Sequence, residues 1–194
     1  MNRNGNIYTM VYALVLAALV AGVLAWVATA LAPRQKANAE AARDAAIRRA
    51  ACMPEASVEK TEACGLPVYF CISGEDTVSV LPCSGSGLWG PIWGYIALEP
   101  DFLTVRGAAF DHKGETPGLG AEIATGKFGS RFTGKPVDRD GIFNVKADGI
   151  SGATETSRAL GSMVSGCIDE YAPYIDSLKT ARGHIATEQD NEGH

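Results

Sequence analysis

The chain has 194 residues, enough for one domain of ordinary size with appendages. Its formal net charge of −5 excludes the basic footprint expected of a nucleic-acid binder. Twenty-two glycines, many in short clusters, argue against a helical bundle and for a loop-rich β or α+β domain.

A short N-terminal stretch, residues 1–6, precedes Ile7–Ala32, which contains no charged side chain. That run exceeds the length needed to cross a hydrocarbon core as a helix and is longer than a secretory h-region. Ala30-Leu31-Ala32 has the small residues of a cleavage site, but Pro33 follows directly and disfavours cleavage. The segment reads as an uncleaved transmembrane anchor over 7–32. Its apolar residues occur all round the helix, which does not suit a core helix of a soluble domain. Charge counting places Arg3 and the terminal amine on one side, and Arg34, Lys36, Arg43, Arg48 and Arg49 on the other, tempered by Glu40 and Asp44. By that count the C-terminal domain faces the cytoplasm.

Residues 33–52 form a helical stalk, since Lys36–Ala51 is rich in Ala, Arg and Glu. The main domain spans 53–183. Strands are predicted over 67–72 and 77–81 around a Gly74-Glu75-Asp76 turn, and over 92–98 and 103–110 as an antiparallel hairpin. Residues 82–91 and 112–120 read as loops, 122–134 as mixed, and 142–146 as a short strand. A helix begins at Glu155 and ends near Tyr171-Ala172-Pro173. The tail, 184–194, is polar and expected to be disordered. Five cysteines occur, with no C-x-x-C. Cys64, Cys71 and Cys83 are close enough in sequence for a disulfide in an oxidising compartment, and free thiols are the equal alternative. Cys52 carries no assigned role, and Cys167 reads as a small buried hydrophobe on the last helix.

Three stretches carry chemistry. The first is Asp148-Gly149-Ile150-Ser151-Gly152-Ala153-Thr154-Glu155-Thr156-Ser157. An amphipathic pattern follows it, with Leu160, Met163, Val164, Cys167, Ile168 and Tyr171 at helical spacing. Its hydroxyls therefore sit at a helix N-terminus, where free N–H groups and the macrodipole favour a phosphate. A plain N-cap is the simpler alternative. The second is Asp111-His112-Lys113-Gly114-Glu115-Thr116-Pro117-Gly118-Leu119-Gly120. Such a loop can clasp a flat heteroaromatic ring or be an ordinary surface loop. His112 and Glu115 also admit a metal or acid/base reading, without further ligands nearby in sequence. The third is Gly87-Leu88-Trp89-Gly90-Pro91-Ile92-Trp93-Gly94-Tyr95. Leu88 and Trp89 suit a ligand wall, whereas Trp93 and Tyr95 share one strand face and suit packing.

Together these segments resemble the C subunit of the bacterial sodium-translocating NADH:quinone oxidoreductases. The Ser-Gly-Ala-Thr box is shared with the G subunit of the Rnf ferredoxin:NAD oxidoreductase, which is the alternative family assignment. The resemblance implies an α+β fold: one N-terminal transmembrane helix, then an antiparallel-sheet FMN-binding domain with flanking helices outside the inner membrane. That orientation opposes the charge count. It further implies that a flavin transferase esterifies FMN to Thr154 and that the flavin relays single electrons toward the FMN of the membrane-embedded B subunit. Ring and tether contacts would come from Leu88, Trp89, Glu115, Thr116, Gly118 and Leu119, and from Ser151, Gly152, Ala153 and Thr156. The transferase would recognise Asp148, Gly149, Ser151, Gly152, Ala153 and Thr154. Thr156 and Ser157 remain rival attachment points. No residue is assigned a catalytic role and no metal is implied. No dinucleotide fingerprint or P-loop is read, so the NADH site, the quinone site and the ion path would belong to partners, among them the D, E and F subunits. The segment between Lys127 and Val145 is shorter than in many members, and Cys64–Cys83 matches nothing in the family. Outside the resemblance, an anchored module binding a phosphate or carbohydrate reversibly is the competing reading.

Overall fold

A computed structural model of the chain describes residues 5–191. The ends of the predicted N-terminal stretch and tail, residues 1–4 and 192–194, lie outside the described residues. The chain divides into two compact units, Met1–Arg43 and Asp44–His194.

Helix α1 (Asn6–Ala51) supplies the first unit and the opening of the second. In the first unit its large apolar side chains, Leu14, Leu24 and Trp26 among them, are exposed. The helix is long and apolar enough to cross a membrane. The Thr29 hydroxyl donates to the carbonyls of Ala25 and Trp26, the usual way a helix satisfies a hydroxyl among apolar neighbours. Pro33 lies inside α1, at the cost of one backbone hydrogen bond.

The second unit opens with the last turns of α1, upstream of the boundary expected at residue 53. Ile47, Ala50 and Ala51 explain the shift, because all three are fully buried against the sheet. The helix ends with Cys52 at positive φ, the Met53 N–H returning to the Arg48 carbonyl and the Cys52 N–H to that of Arg49. This is the Schellman arrangement.

Five strands follow as an antiparallel meander in the order β1-β2-β3-β4-β5. They are β1 (Ser57–Ala63), β2 (Leu66–Ser73), β3 (Asp76–Ser86), β4 (Pro91–Leu98) and β5 (Val105–His112). β1 is absent from the sequence prediction. It carries Glu59, Lys60 and Glu62 and is largely exposed, the composition of a protected sheet edge rather than an apolar alternation. Its turn places both Cys64 and Gly65 at positive φ, as a type I′ hairpin requires. β3 runs through Pro82 and Gly85, where a loop is expected. β2 pairing stops at Tyr69 with Val80, so the end of β3 pairs only with β4, a position where a proline costs no second ladder. Residues 142–146 are not a strand. Ile142 and Phe143 are buried in irregular chain, and the Asn144 side chain caps the short helix α3 (Val145–Asp148). The mixed segment forms 3-10 turns around the short helix α2 (Gly126–Gly129).

Period-two alternation gives the sheet two buried faces. Tyr69, Cys71, Val78, Val80 and Ala97 meet the end of α1. Val68, Leu81, Cys83, Ile92 and Ile96 meet helix α4 (Thr154–Asn191) and the aromatic group Phe110, Phe128, Phe132 and Phe143. Each fully buried aliphatic side chain contributes about 1.5–3 kcal/mol. α4 passes Pro173, where the sequence predicts its end, because its apolar stripe continues in Tyr174 and Ile175, both buried. It extends through residues 184–191, where disorder is expected. Ala, Glu and Gln in that segment are good helix formers.

Cys83 and Cys167 are joined in a disulfide that ties β3 to α4, beside a cleft of about 590 Å³. This corrects both cysteine expectations. Cys167 is bonded rather than a lone hydrophobe, and Cys83 pairs with neither Cys64 nor Cys71. Cys71 faces the α1 side of the sheet and Cys83 the α4 side, while Cys64 sits in a hairpin turn. Cys52, Cys64 and Cys71 are free thiols.

Candidate functional site

The loop before α4 is stitched from within. The Ser157 hydroxyl donates to the Ala153 carbonyl and accepts the Ile150 N–H, both at 2.9 Å. A side chain at Gly149 would meet the Val145 carbonyl at 2.3 Å and the Ser157 hydroxyl at 3.3 Å. Gly152 has φ +80°, and a Cβ there would lie 3.0 Å from the Leu119 side chain. Ala153 is buried, while Ser151, Gly152 and Thr154 are exposed. Thr154 is the first residue of α4. Thr156 and Ser157, the rival hydroxyls, are 1% and 0% exposed and already hydrogen-bonded.

Asp148 closes the other side of this loop. Its carboxylate is ion-paired with Lys135 and accepts the Asn144 N–H at 2.8 Å. Its backbone carbonyl accepts from Arg131 at 2.6 Å. Burial pushes its pKa up, but the bonds from Lys135 and Asn144 and the charges of Lys135 and Arg131 bring it below the ordinary carboxylate value. Asp148 is thus an internal anchor of the loop, not a carboxylate held out to solvent.

The two upstream loops converge on the same place. Thr116–Leu119 is a β-turn closed by the Leu119 N–H and the Thr116 carbonyl. Pro117 and Gly118, the latter at φ +73°, occupy the central positions of a type II turn. Thr116 and Gly118 are exposed, as is Leu119 beside Gly152. Leu88 and Trp89 are also exposed, Trp89 to 69%. Glu115 joins the pieces. It is only 4% exposed, and it accepts the Trp89 N–H at 2.9 Å on Oε1 and the Thr156 hydroxyl at 2.6 Å on Oε2. Burial raises its pKa, but these bonds, a further bond from the Leu88 N–H and the nearby His112 leave it lowered. His112 Nδ1 accepts the Glu115 N–H, so both members of the suggested metal or acid/base pair are engaged in holding the loop.

Three glycines with no role assigned from sequence make this approach possible. A Cβ at Gly87 would stand 2.5 Å from Glu115 Oε1, and one at Gly120 would stand 2.6 Å from both Glu115 Oε2 and the Thr156 hydroxyl. One at Gly90 would stand 1.9 Å from the Lys113 carbonyl. Their only signal in sequence is their place in glycine-rich strings. Gly85-Ser86-Gly87-Leu88-Trp89-Gly90 does satisfy the glycine spacing of a dinucleotide fingerprint, against the expectation that none is present. It sits between antiparallel β3 and β4, not at a strand-to-helix turn, so it lacks the context that motif needs. Trp93 and Tyr95 lie away from these loops, on the opposite sheet face. Tyr95 packs edge-on to Tyr69, with ring centroids 6.0 Å apart.

An exposed hydroxyl at a long helix's N-terminus, with Leu119 beside the preceding Gly152 and exposed Leu88 and Trp89 tied to the same helical turn through Glu115, suits a ligand with a phosphate and a flat apolar ring. Residues 87–169 match the family of FMN-binding domains. The chain is 33% identical over 140 residues to the C subunit of the Na+-translocating NADH-quinone reductase of Neisseria meningitidis serogroup A, covering 63% of this chain and 54% of that protein. The same subunit from Chlamydia trachomatis is 43% identical over 102 residues, covering 53% and 30%. The crystal structure of that subunit from Parabacteroides distasonis superimposes with a TM-score of 0.63 at 29% identity, covering 75% of this chain and 96% of that one. The chain spans about half the length, or less, of these curated relatives. The segment that matches the FMN-binding domain family therefore holds all three converging loops and the start of α4, on a chain similar in sequence and fold to the C subunit of the Na+-translocating NADH-quinone reductases.

Proposed function

We propose that the chain is a membrane-anchored flavoprotein subunit of a Na+-translocating NADH:quinone oxidoreductase, carrying FMN as a phosphoester on Thr154. The single observation that carries the attachment site is the contrast among three neighbouring hydroxyls. Thr156 and Ser157 are buried and committed to Glu115 and Ala153, whereas Thr154 is exposed at the first residue of α4. Gly152 and Ala153 keep its approach slim. The first N–H groups of a helix lack intrahelical partners, and the dipole of α4 favours an anion there by about 0.3–1 kcal/mol. Leu88, Trp89 and Leu119 supply apolar surface for the ring, and the Thr116–Leu119 turn offers polar groups at its edge.

When bound, FMN supplies one-electron redox chemistry. The chain's own contribution is to tether, orient and partly shield it. Asp148, through Lys135 and Arg131, holds the Ser151–Ala153 loop in the shape a flavin transferase would read. The family resemblance supports a relay toward the FMN of the B subunit, with the D, E and F subunits as further partners. The Cys83–Cys167 disulfide supports an extracytoplasmic domain, because such bonds persist in oxidising compartments. It weighs against the cytoplasmic placement given by the charge count. In this reading residues 1–6 lie on the cytoplasmic side of the inner membrane, 7–32 cross it and 53–183 lie on its outer side.

Peptide mapping of the chain co-expressed with a flavin transferase tests the proposal. The fragment containing Thr154 should carry an FMN-sized increment that survives denaturation, and Thr154→Ala should abolish it. An increment on a fragment lacking Thr154, or retained in Thr154→Ala, defeats the assignment.

A further inference from the structure

We infer that Glu115 is a positioning residue that ties the wall formed by Leu88 and Trp89 to the first turn of α4, so that the wall and the hydroxyl of Thr154 move as one body. This inference rests on the reading of Thr154 as the flavin carrier. It says how Glu115, expected close to the ring, would act there: the side chain is only 4% exposed and is held between Trp89 and Thr156.

Burying a carboxylate costs several kcal/mol unless its charge is fully hydrogen-bonded. Here each oxygen has a separate partner on a separate segment. Oε1 takes the Trp89 N–H at 2.9 Å, and Oε2 takes the Thr156 hydroxyl at 2.6 Å, both within the range of charge-assisted bonds. The space around it is closed to side chains at Gly87 and Gly120. An apolar residue of similar size would fill that space with no desolvation penalty, so the carboxylate is explained by what it links. Trp89 has little packing to fix it, being 69% exposed. Its loop is held by hydrogen bonds: the Trp89 N–H, with that of Leu88, to Glu115, Gly87 N–H to the Gly90 carbonyl and Lys113 N–H to the Pro91 carbonyl. Only the first of these three reaches α4, through Thr156. Thr156 lies two residues from Thr154 in the same helical turn.

The test uses the full chain, unmodified and co-expressed with a flavin transferase, as wild type, Glu115→Gln, Thr156→Val and Thr156→Ser. In the unmodified protein, exchange of the Trp89 amide should accelerate by up to roughly tenfold in Glu115→Gln, which keeps an acceptor but removes the charge that strengthens the bond, and in Thr156→Val, which unties the carboxylate from α4. Thr156→Ser, which keeps the hydroxyl, should restore protection. In the modified protein, covalent occupancy by intact mass should be unchanged, while flavin fluorescence anisotropy falls and the midpoint potential shifts in Glu115→Gln and Thr156→Val only. If Glu115→Gln does not fold, the Val and Ser pair at 156 decides alone. Wild-type exchange rates in Thr156→Val overturn the clasp. Faster exchange with unchanged anisotropy and potential overturns its role at the flavin. A wild-type chain without covalent flavin defeats the carrier reading instead, and the exchange data still decide the clasp.

Discussion

Thr154, Thr156 and Ser157 share four residues of chain but have three different environments, because successive positions of a helix point about 100° apart. Thr156 faces Glu115 and Gly120, Ser157 faces back to the loop, and Thr154 faces out. Ser157→Ala should therefore act on stability rather than on attachment chemistry. It leaves the Ile150 N–H without its partner, a loss of about 1–3 kcal/mol in a denaturant melt. An unchanged midpoint would mean the stitch contributes nothing. Cysteine reactivity is also set residue by residue. Burial raises the Cys71 thiol pKa against a smaller opposing effect of Arg48, whereas Cys52 and Cys64 are exposed. Mass spectrometry after brief alkylation of native protein should find adducts on Cys52 and Cys64 and none on Cys71 until unfolding.

Among elements, the short helix α3 and its Asp148 terminus are held to the rest of the domain by charge. Lys135 contacts Asp148 while its ammonium lies 5.8 Å from the Phe132 ring centroid and 5.9 Å from that of Phe143. Folded Asp148 and Glu115 both ionise at lower pH than they do unfolded. Their contribution is therefore complete above the unfolded carboxylate values, about 4. It is lost as pH falls from there through the lower folded values. Asp148→Asn should flatten the acid limb of a stability-versus-pH curve and lower stability at neutral pH, as followed by circular dichroism. An unaltered acid limb would assign that pH dependence elsewhere. The same exchange should also slow modification of Thr154 by the transferase, since the loop it anchors leads directly to that residue.

At the scale of the whole molecule, the Cys83–Cys167 bond closes a long loop, with a sequence separation of 84 residues. On the chain-entropy account such a crosslink stabilises by about 4–5 kcal/mol. Reduction, or Cys83→Ala with Cys167→Ala, should lower the thermal midpoint of the domain, and scanning calorimetry with and without reductant measures the difference. Equal midpoints would show that packing of α4 alone suffices. A reporter fused after Gly183 should be active only outside the cytoplasm, and cytoplasmic activity would restore the orientation given by Arg34, Lys36 and Arg43.

Local chemistry made part of this protein legible without coordinates. A charge-free apolar run has few uses other than a membrane span. Gly74 marks a turn because few other residues take its positive φ, and the period-3.6 stripe from Leu160 onward admits only a helix. The string around Thr154 pointed to a helix N-terminus, and α4 begins at that residue. What tertiary structure decided were features whose energy comes from partners distant in sequence. β1 is polar and exists because β2 offers it a ladder. β3 runs through Pro82 because its ladder with β2 has already ended at Tyr69 and Val80, and the disulfide follows sheet faces rather than cysteine spacing. Glu115 reads in sequence as a loop carboxylate beside a ligand. Only the fold, by bringing Gly87, Gly120 and Thr156 around it, turns it into a buried link, because a charge that is cheap in water can be kept inside only where distant segments supply its hydrogen bonds.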